Sequence, residues 1–149
     1  MSDPEDDMNA LSNARLPFAV QCLERYGEFH PFGAVMLPDG EIVSTAADPG
    51  PPPDGELVIG RDVIEMLREG HRSRIVNGGL KASVIFYEVH LKAGHPSGFT
   101  SAVCAAVDHV DGLSVIATLP YELRDGAPTF ANTTFEEGEY LIFPEPTVQ

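Results

Sequence analysis

KASVIFYEVHL (residues 81–91) and TSAVCAAVDHVDGLSVIATLPY (residues 100–121) carry the densest β-forming sequence of this 149-residue chain. Ser83 to Leu91, Val103 to Val110 and Leu113 to Leu119 are mostly β-branched, aromatic or long apolar, as strands with little exposed surface require. Asp111-Gly112 separates the last two runs and suits the positive backbone angles of a tight hairpin turn. Three central antiparallel strands are therefore expected. A two-residue loop at Asp111-Gly112 sets Val110 opposite Leu113, Asp108 opposite Val115 and Cys104 opposite Leu119. One face then carries Cys104, Ala106, Val115 and Ala117 with Asp108 as its charge, and the semi-apolar other face carries Val103, Ala105, Val107, Ile116 and His109.

Outward from this centre, the rest of the chain reads as two helices and two hairpins. Phe18, Cys22 and Tyr26 recur at four-residue spacing, so a helix is expected from Ser12 or Pro17 to Tyr26, stopped by Gly27. Pro38-Asp39-Gly40 joins two strands, Gly33 to Leu37 and Glu41 to Ala46. Val63, Met66 and Leu67 place a second helix within Gly60 to Ile75. Pro120 argues against continuing the central strand. Thr129–Phe135 and Glu139–Phe143 are the last strand candidates. The expected fold class is α+β: a single, mostly antiparallel sheet of five to seven strands with two helices packed on one face. Residues 1–10 read as a mobile acidic segment, 11–144 as one compact domain and 145–149 as a tail. DPGPPPDG (residues 48–55) reads as a surface crossing within that domain.

The formal charge is −14, from 23 acids against 9 Lys and Arg. Such a balance disfavours nucleic acid and anionic membranes, both of which need concentrated basic side chains. Residues 61–81 are the exception, with five bases against three acids. With no export-type N-terminus and no apolar run long enough to span a bilayer, the chain reads as cytoplasmic, with Cys22 and Cys104 as reduced, core-packed thiols.

No familiar catalytic or phosphate-binding motif occurs. Glu88 and His90 share one face of their strand, and Asp108 interrupts an otherwise apolar one, so these three are the weak candidates for proton-transfer chemistry. A strand emerging into water explains Glu88 and His90 equally well. A lone buried carboxylate such as Asp108 needs a donor, a cation or solvent. Arg68, Arg72 and Arg74 form the basic cluster, and Tyr87 and Tyr121 offer amphipathic contact surface. Neither a metal nor a cofactor is expected. The reading that follows is a small acidic interaction or regulatory protein: an inhibitor- or immunity-like binder of a basic protein, or a self-associating homodimer. The alternative is a small-ligand-binding protein or hydrolase with a Glu/His-lined pocket.

Overall fold

The computed structural model describes residues 3–46, 60–77 and 79–143. Helix α1 (Pro4–Tyr26) begins well before Ser12. Asp3 caps it by accepting the Glu5 N–H at 2.9 Å, Pro4 occupies the first turn, and Glu5, Asp6 and Asp7 face the positive helix end. Residues 4–10, expected to be mobile, therefore form the opening turns, and Met8 and Leu11 are buried. Composition suggested mobility here, but an Asp-Pro pair followed by acids is a helix start. Pro17 lies inside α1 rather than in its first turn. Gly27, at φ +76°, ends the helix, and its N–H is bonded to the Leu23 carbonyl at 3.0 Å.

Strands β1 (Phe32–Met36) and β2 (Ile42–Thr45) form the first hairpin, followed by helix α2 (Gly60–Asn77). Strands β3 (Ala82–His90), β4 (Ser101–His109), β5 (Leu113–Arg124), β6 (Ala127–Phe130) and β7 (Thr134–Glu137) complete one antiparallel sheet. Its order is β2-β1-β3-β4-β5-β6, with β7 paired to the first half of β5 and β6 to the second. The fold is thus α+β, two helices on a single seven-stranded antiparallel sheet.

The helices do not share a face. Met8, Leu11, Ala19 and Leu23 of α1 pack on Ala34, Val84, Phe86 and Val103. Val63 and Leu67 of α2 pack on Val35 and Ile85, the intervening residues of the same strands. The alternation of β1 and β3 forces this division, because both of their faces are apolar and each needs cover.

The hairpin register also differs from the expected one. His109, not Val110, pairs with Leu113, leaving Val110, Asp111 and Gly112 as a three-residue loop. The Gly112 N–H is bonded to the His109 carbonyl at 3.0 Å, and Gly112 alone in the loop has positive φ, +93°. This is a turn closed by a left-handed glycine rather than one with two positive angles. The shift exchanges the faces of β5 relative to β4. Val103, Ala105 and Val107 lie with Val115, Ala117 and Leu119 on the α1 side. Cys104, Ala106 and Asp108 lie with Ser114, Ile116 and Thr118 on the α2 side.

Pro120 does not stop β5, which runs on to Arg124. The Pro120 carbonyl accepts the Ala131 N–H at 2.9 Å, so the backbone of this residue faces the outer side of β5. That is where the partner strand changes from β7 to β6, and the missing N–H takes no bond from the β4–β5 ladder. The expected strand at 139–143 is instead an irregular segment crossing the α2 face, where Ile142 and Phe143 are buried. The 48–55 crossing and the 145–149 tail lie outside the described residues.

Candidate functional site

On the α1 side the sheet is wider than its cover. Helix α1 lies over β1, β3 and β4 and reaches β6 near its C-terminus. Val115, Ala117 and Leu119 of β5 are left only partly buried. The result is a half-open groove of about 520 Å³. Its floor is Phe86, Val103, Ala105, Val107, Val115, Ala117 and Leu119. Its α1 wall is Glu5, Met8, Asn9, Ser12, Asn13 and Leu16, and its far rim is Thr133 and Phe135. Phe135 is 71% exposed, an unusual state for a ring on a strand. Glu137 pairs with Val115 as Phe135 pairs with Ala117, so it stands on the same face, one step along the rim. Among the described residues, one carboxylate and no cation line the groove. It offers apolar area, side-chain amides and hydroxyls, but no nucleophile with an adjacent base.

The buried Asp7, His71, Asp108 and His109 side chains are occupied in holding the fold. Asp7, 6% exposed, accepts from His109 Nε2 at 2.9 Å, and Lys81 Nζ lies 3.3 Å from the same oxygen. The Asp111 N–H donates to His109 Nδ1 at 3.0 Å, so the proton of this ring sits on Nε2 and points at Asp7. His71, 1% exposed, bridges Thr45 Oγ1 and Ser83 Oγ, each at 2.7 Å. One ring nitrogen donates and the other accepts. Burial, with Arg74 nearby, lowers the His71 pKa from 6.5 to about 4. Gly33 lets this ring lie against the sheet, because a Cβ there would stand 3.0 Å from His71 Cε1 and 2.6 Å from the Val84 carbonyl oxygen.

The residues singled out in the sequence fall in different places. Glu88 is half-buried on the α1 side, where its Oε1 accepts the Phe29 N–H at 2.9 Å. Burial pushes its carboxyl pKa up, while bonds from Phe29 and Tyr121 pull it back. Tyr121 is pushed up to about 12 by its own burial and by Glu88. His90 is exposed at the end of β3. Glu88 and His90 line neither the groove nor the small recess described next. Asp108 is on the opposite face and near the opposite end of the sheet, since Glu88 pairs with Val103 and Asp108 with Ser83. The two carboxyls therefore share no site.

Asp108 has the donors a buried carboxylate needs. Ser114 Oγ donates to Oδ1 at 3.2 Å and the Ile142 N–H to Oδ2 at 3.4 Å. Burial raises its pKa, and these bonds partly offset the rise. With Arg68 and Tyr87 it borders a recess of about 30 Å³, the room one water takes up. Burial, followed by Cys104, pushes Tyr87 up to about 12. Arg72 Nε donates to the Leu141 carbonyl at 2.6 Å, and both Arg72 and Arg68 pair with Glu65. Arg74 is exposed. The sequence candidates come together in two places: Glu88 is hydrogen-bonded to Tyr121, and Arg68, Tyr87 and Asp108 meet around a space too small for a substrate.

Sequence reasoning missed the groove, Asp7 and His71. His71 had a signal, since it continues the four-residue spacing of Val63 and Leu67 into the core. The groove had none, because it depends on how much sheet one helix leaves bare. Among the described residues, no three His, Cys, Asp or Glu side chains are placed to hold a metal ion, and no helix is long and apolar enough to cross a membrane.

The fold and the groove together define an α+β protein with helices on both faces of an antiparallel sheet and, among the described residues, an uncovered apolar strip beside one of them. Compared with known family models, curated proteins and solved structures, the chain matches none.

Proposed function

We propose that this protein is a non-catalytic binding module whose α1-side groove accepts an apolar segment of a basic protein. The observation that carries the reading is the groove itself, an apolar floor with the exposed Phe135 ring on its rim. Large uncovered apolar surface on a folded chain marks a contact site more often than chance exposure. Charge selects the partner. The chain carries −14, the described groove residues present Glu5 and no cation, and a basic surface is drawn to the groove and steered onto it. A second copy of this chain would bring another −14 to the contact, which makes self-association the weaker reading. A Glu/His-lined ligand or hydrolase site is weaker still, because Glu88 is engaged by Phe29 and Tyr121, away from the groove.

The test is a photo-crosslinking amino acid placed at Phe135 in the cells the protein comes from. The expected product is a covalent adduct with a basic protein, lost when Ala117 on the groove floor is changed to Gln. Adducts confined to a small molecule, to another copy of the chain or to acidic proteins would overturn the proposal.

A further inference from the structure

The groove has the dimensions of a missing helix. Neighbouring strands lie about 4.8 Å apart and a packed helix covers about 10 Å of sheet, so a single helix shields roughly two strand spacings. Six strand positions span about 24 Å by the same spacing. Helix α1 takes the part over β1, β3 and β4. The strip from β5 to β7 is left, about one helix wide. Along β5 the apolar series Val115, Ala117, Leu119 continues to the buried Tyr121. At about 3.3 Å per residue the open part, Val115 to Leu119, runs roughly 13 Å, the length of a helix of about nine residues at 1.5 Å each.

Helix α1 is shaped for a neighbour on that side. Glu5, Asn9, Ser12 and Leu16 recur at spacings of four, three and four, forming one stripe along the groove whose last member, Leu16, also packs against the core. Three of the four are polar and none is basic. On the far side the rim is Phe135 followed by Glu137, again acidic and apolar together. A segment seated between them needs an apolar face downward and Lys or Arg along its flanks.

Resting on the proposed binding role of the groove, we infer that its occupant is a short amphipathic helix from a basic protein, lying beside α1 on β5. Its apolar face covers Val115, Ala117 and Leu119 and packs against Phe135. Its basic flanks meet Glu5 and Glu137. The groove favours this occupant over an extended segment for a physical reason. Both ladder sides of β5 are already paired, by β4 on one side and by β7 and β6 on the other, so a strand lying over it would leave its own backbone groups unbonded. A helix satisfies its own backbone and offers side chains alone to an apolar floor.

The test uses the full chain with labelled methyl groups and three synthetic fourteen-residue peptides. One has Leu at helical spacing with Lys elsewhere. The second has the same composition with Leu and Lys alternating. The third has the helical pattern with Glu in place of Lys. The helical Leu/Lys peptide is expected to shift the Val115, Ala117 and Leu119 methyl signals saturably and to gain helicity on binding. The Ala117→Gln protein should bind it at least ten-fold more weakly while its Val84 signal stays in place as a check of folding. Tighter binding of the alternating peptide, or shifts confined to the outer edge of β7, would overturn the helical occupant and leave the groove proposal standing. Equal binding of the Glu peptide would overturn the basic partner. Absence of groove shifts with both Lys peptides at millimolar concentration would overturn the inference, and an adduct at Phe135 with a basic protein would then show that the binding role survives it.

Discussion

The Asp7 carboxylate accepts a hydrogen bond from His109 Nε2 at 2.9 Å and so ties the first turn of α1 to the end of β4, across 102 residues of sequence. Both side chains are buried, and Lys81 at the start of β3 joins them at 3.3 Å. One carboxylate thereby holds three elements at the end of the sheet where the groove begins. Asp7→Ala takes the acceptor from the buried His109 N–H and removes the carboxylate beside Lys81, which costs about 3 kcal/mol. Asp7→Asn keeps an acceptor for His109 but sets an amide before Lys81, and is expected to cost less. Denaturant unfolding of the two variants checks the order. Equal, negligible losses would mean the contact contributes nothing to holding α1.

Gly33 is required by its surroundings. A Cβ at this position would lie 2.6 Å from the Val84 carbonyl oxygen and 2.9 Å from Thr45 Oγ1. The first neighbour is backbone in a central strand and cannot swing away. Gly33→Ala is expected to destabilise the chain by roughly 2–3 kcal/mol through overpacking, despite the usual gain from replacing glycine in a strand. Thermal unfolding measures it. A variant as stable as the parent would show that β1 and β3 can separate locally at no cost.

Much of this architecture was legible from alternation, and the parts that were not have identifiable physical reasons. The order α, ββ, α, βββ followed from apolar periodicity and from Pro38-Asp39-Gly40, Gly27 and the Asp111-Gly112 turn, whereas the last two strands did not: the expected Thr129–Phe135 strand holds the end of β6 and the start of β7, and 139–143 is irregular. Nor did the β4–β5 register. Ala102, Cys104 and Ala106 are as apolar as Val103, Ala105 and Val107, so either face of β4 accepts the Leu113–Val115–Ala117–Leu119 series, and Asp111-Gly112 fits a two- or a three-residue loop. The same double-sided apolarity in β1 and β3 divides the two helices between the faces, against the expectation of both on one face. Glu88 and Asp108 stand out in the sequence as carboxyls on largely apolar strands. Each has a side-chain partner, Tyr121 and Ser114 respectively, and a backbone donor, the Phe29 and Ile142 N–H groups, and side-chain identity carries no sign of the backbone donors. The Asp7–His109 contact likewise leaves no local trace.

His71 should make stability depend on pH in the mildly acidic range. Its pKa is about 4 in the folded chain against an ordinary 6.5, so between these values the unfolded chain takes up a proton that the folded chain refuses. The stability that neutral His71 contributes is fully present above about 6.5 and is lost as the pH falls to 4, by as much as roughly 3 kcal/mol. Asp108 and Glu88 act in the opposite sense. Their folded pKa values are raised, so their contribution is greatest at low pH and declines as the pH rises through those values. A His71→Gln variant isolates the histidine, because it keeps polar atoms for Thr45 and Ser83 but does not titrate. The stability gap between parent and variant should narrow from pH 7 to pH 4. A gap independent of pH would show that His71 is not held neutral.

Asp108 is expected to govern the segment that crosses the α2 face. Its two oxygens take the Ser114 hydroxyl and the Ile142 N–H, and Ser114 Oγ in turn accepts the Tyr140 N–H at 3.2 Å. The Gly138 N–H closes on the Ser114 carbonyl at 2.8 Å. These bonds replace the ladder a strand would have made, which is why residues 139–143 hold a fixed path with no secondary structure. Asp108→Ala removes two acceptors from buried donors, a loss of about 2 kcal/mol. The loss should fall first on this segment, since Ile142 and Phe143 pack on Val35, Leu67 and Ile85 only while their backbone is held. Amide exchange at Tyr140 and Ile142 should quicken at least ten-fold, while the amides of Val84 and Phe86 on β3 change far less. Ser114→Ala should reproduce the pattern, and the double variant should cost less than the sum of the two, because the first change already breaks the chain of bonds. Uniform acceleration across the sheet would instead make Asp108 part of the global core.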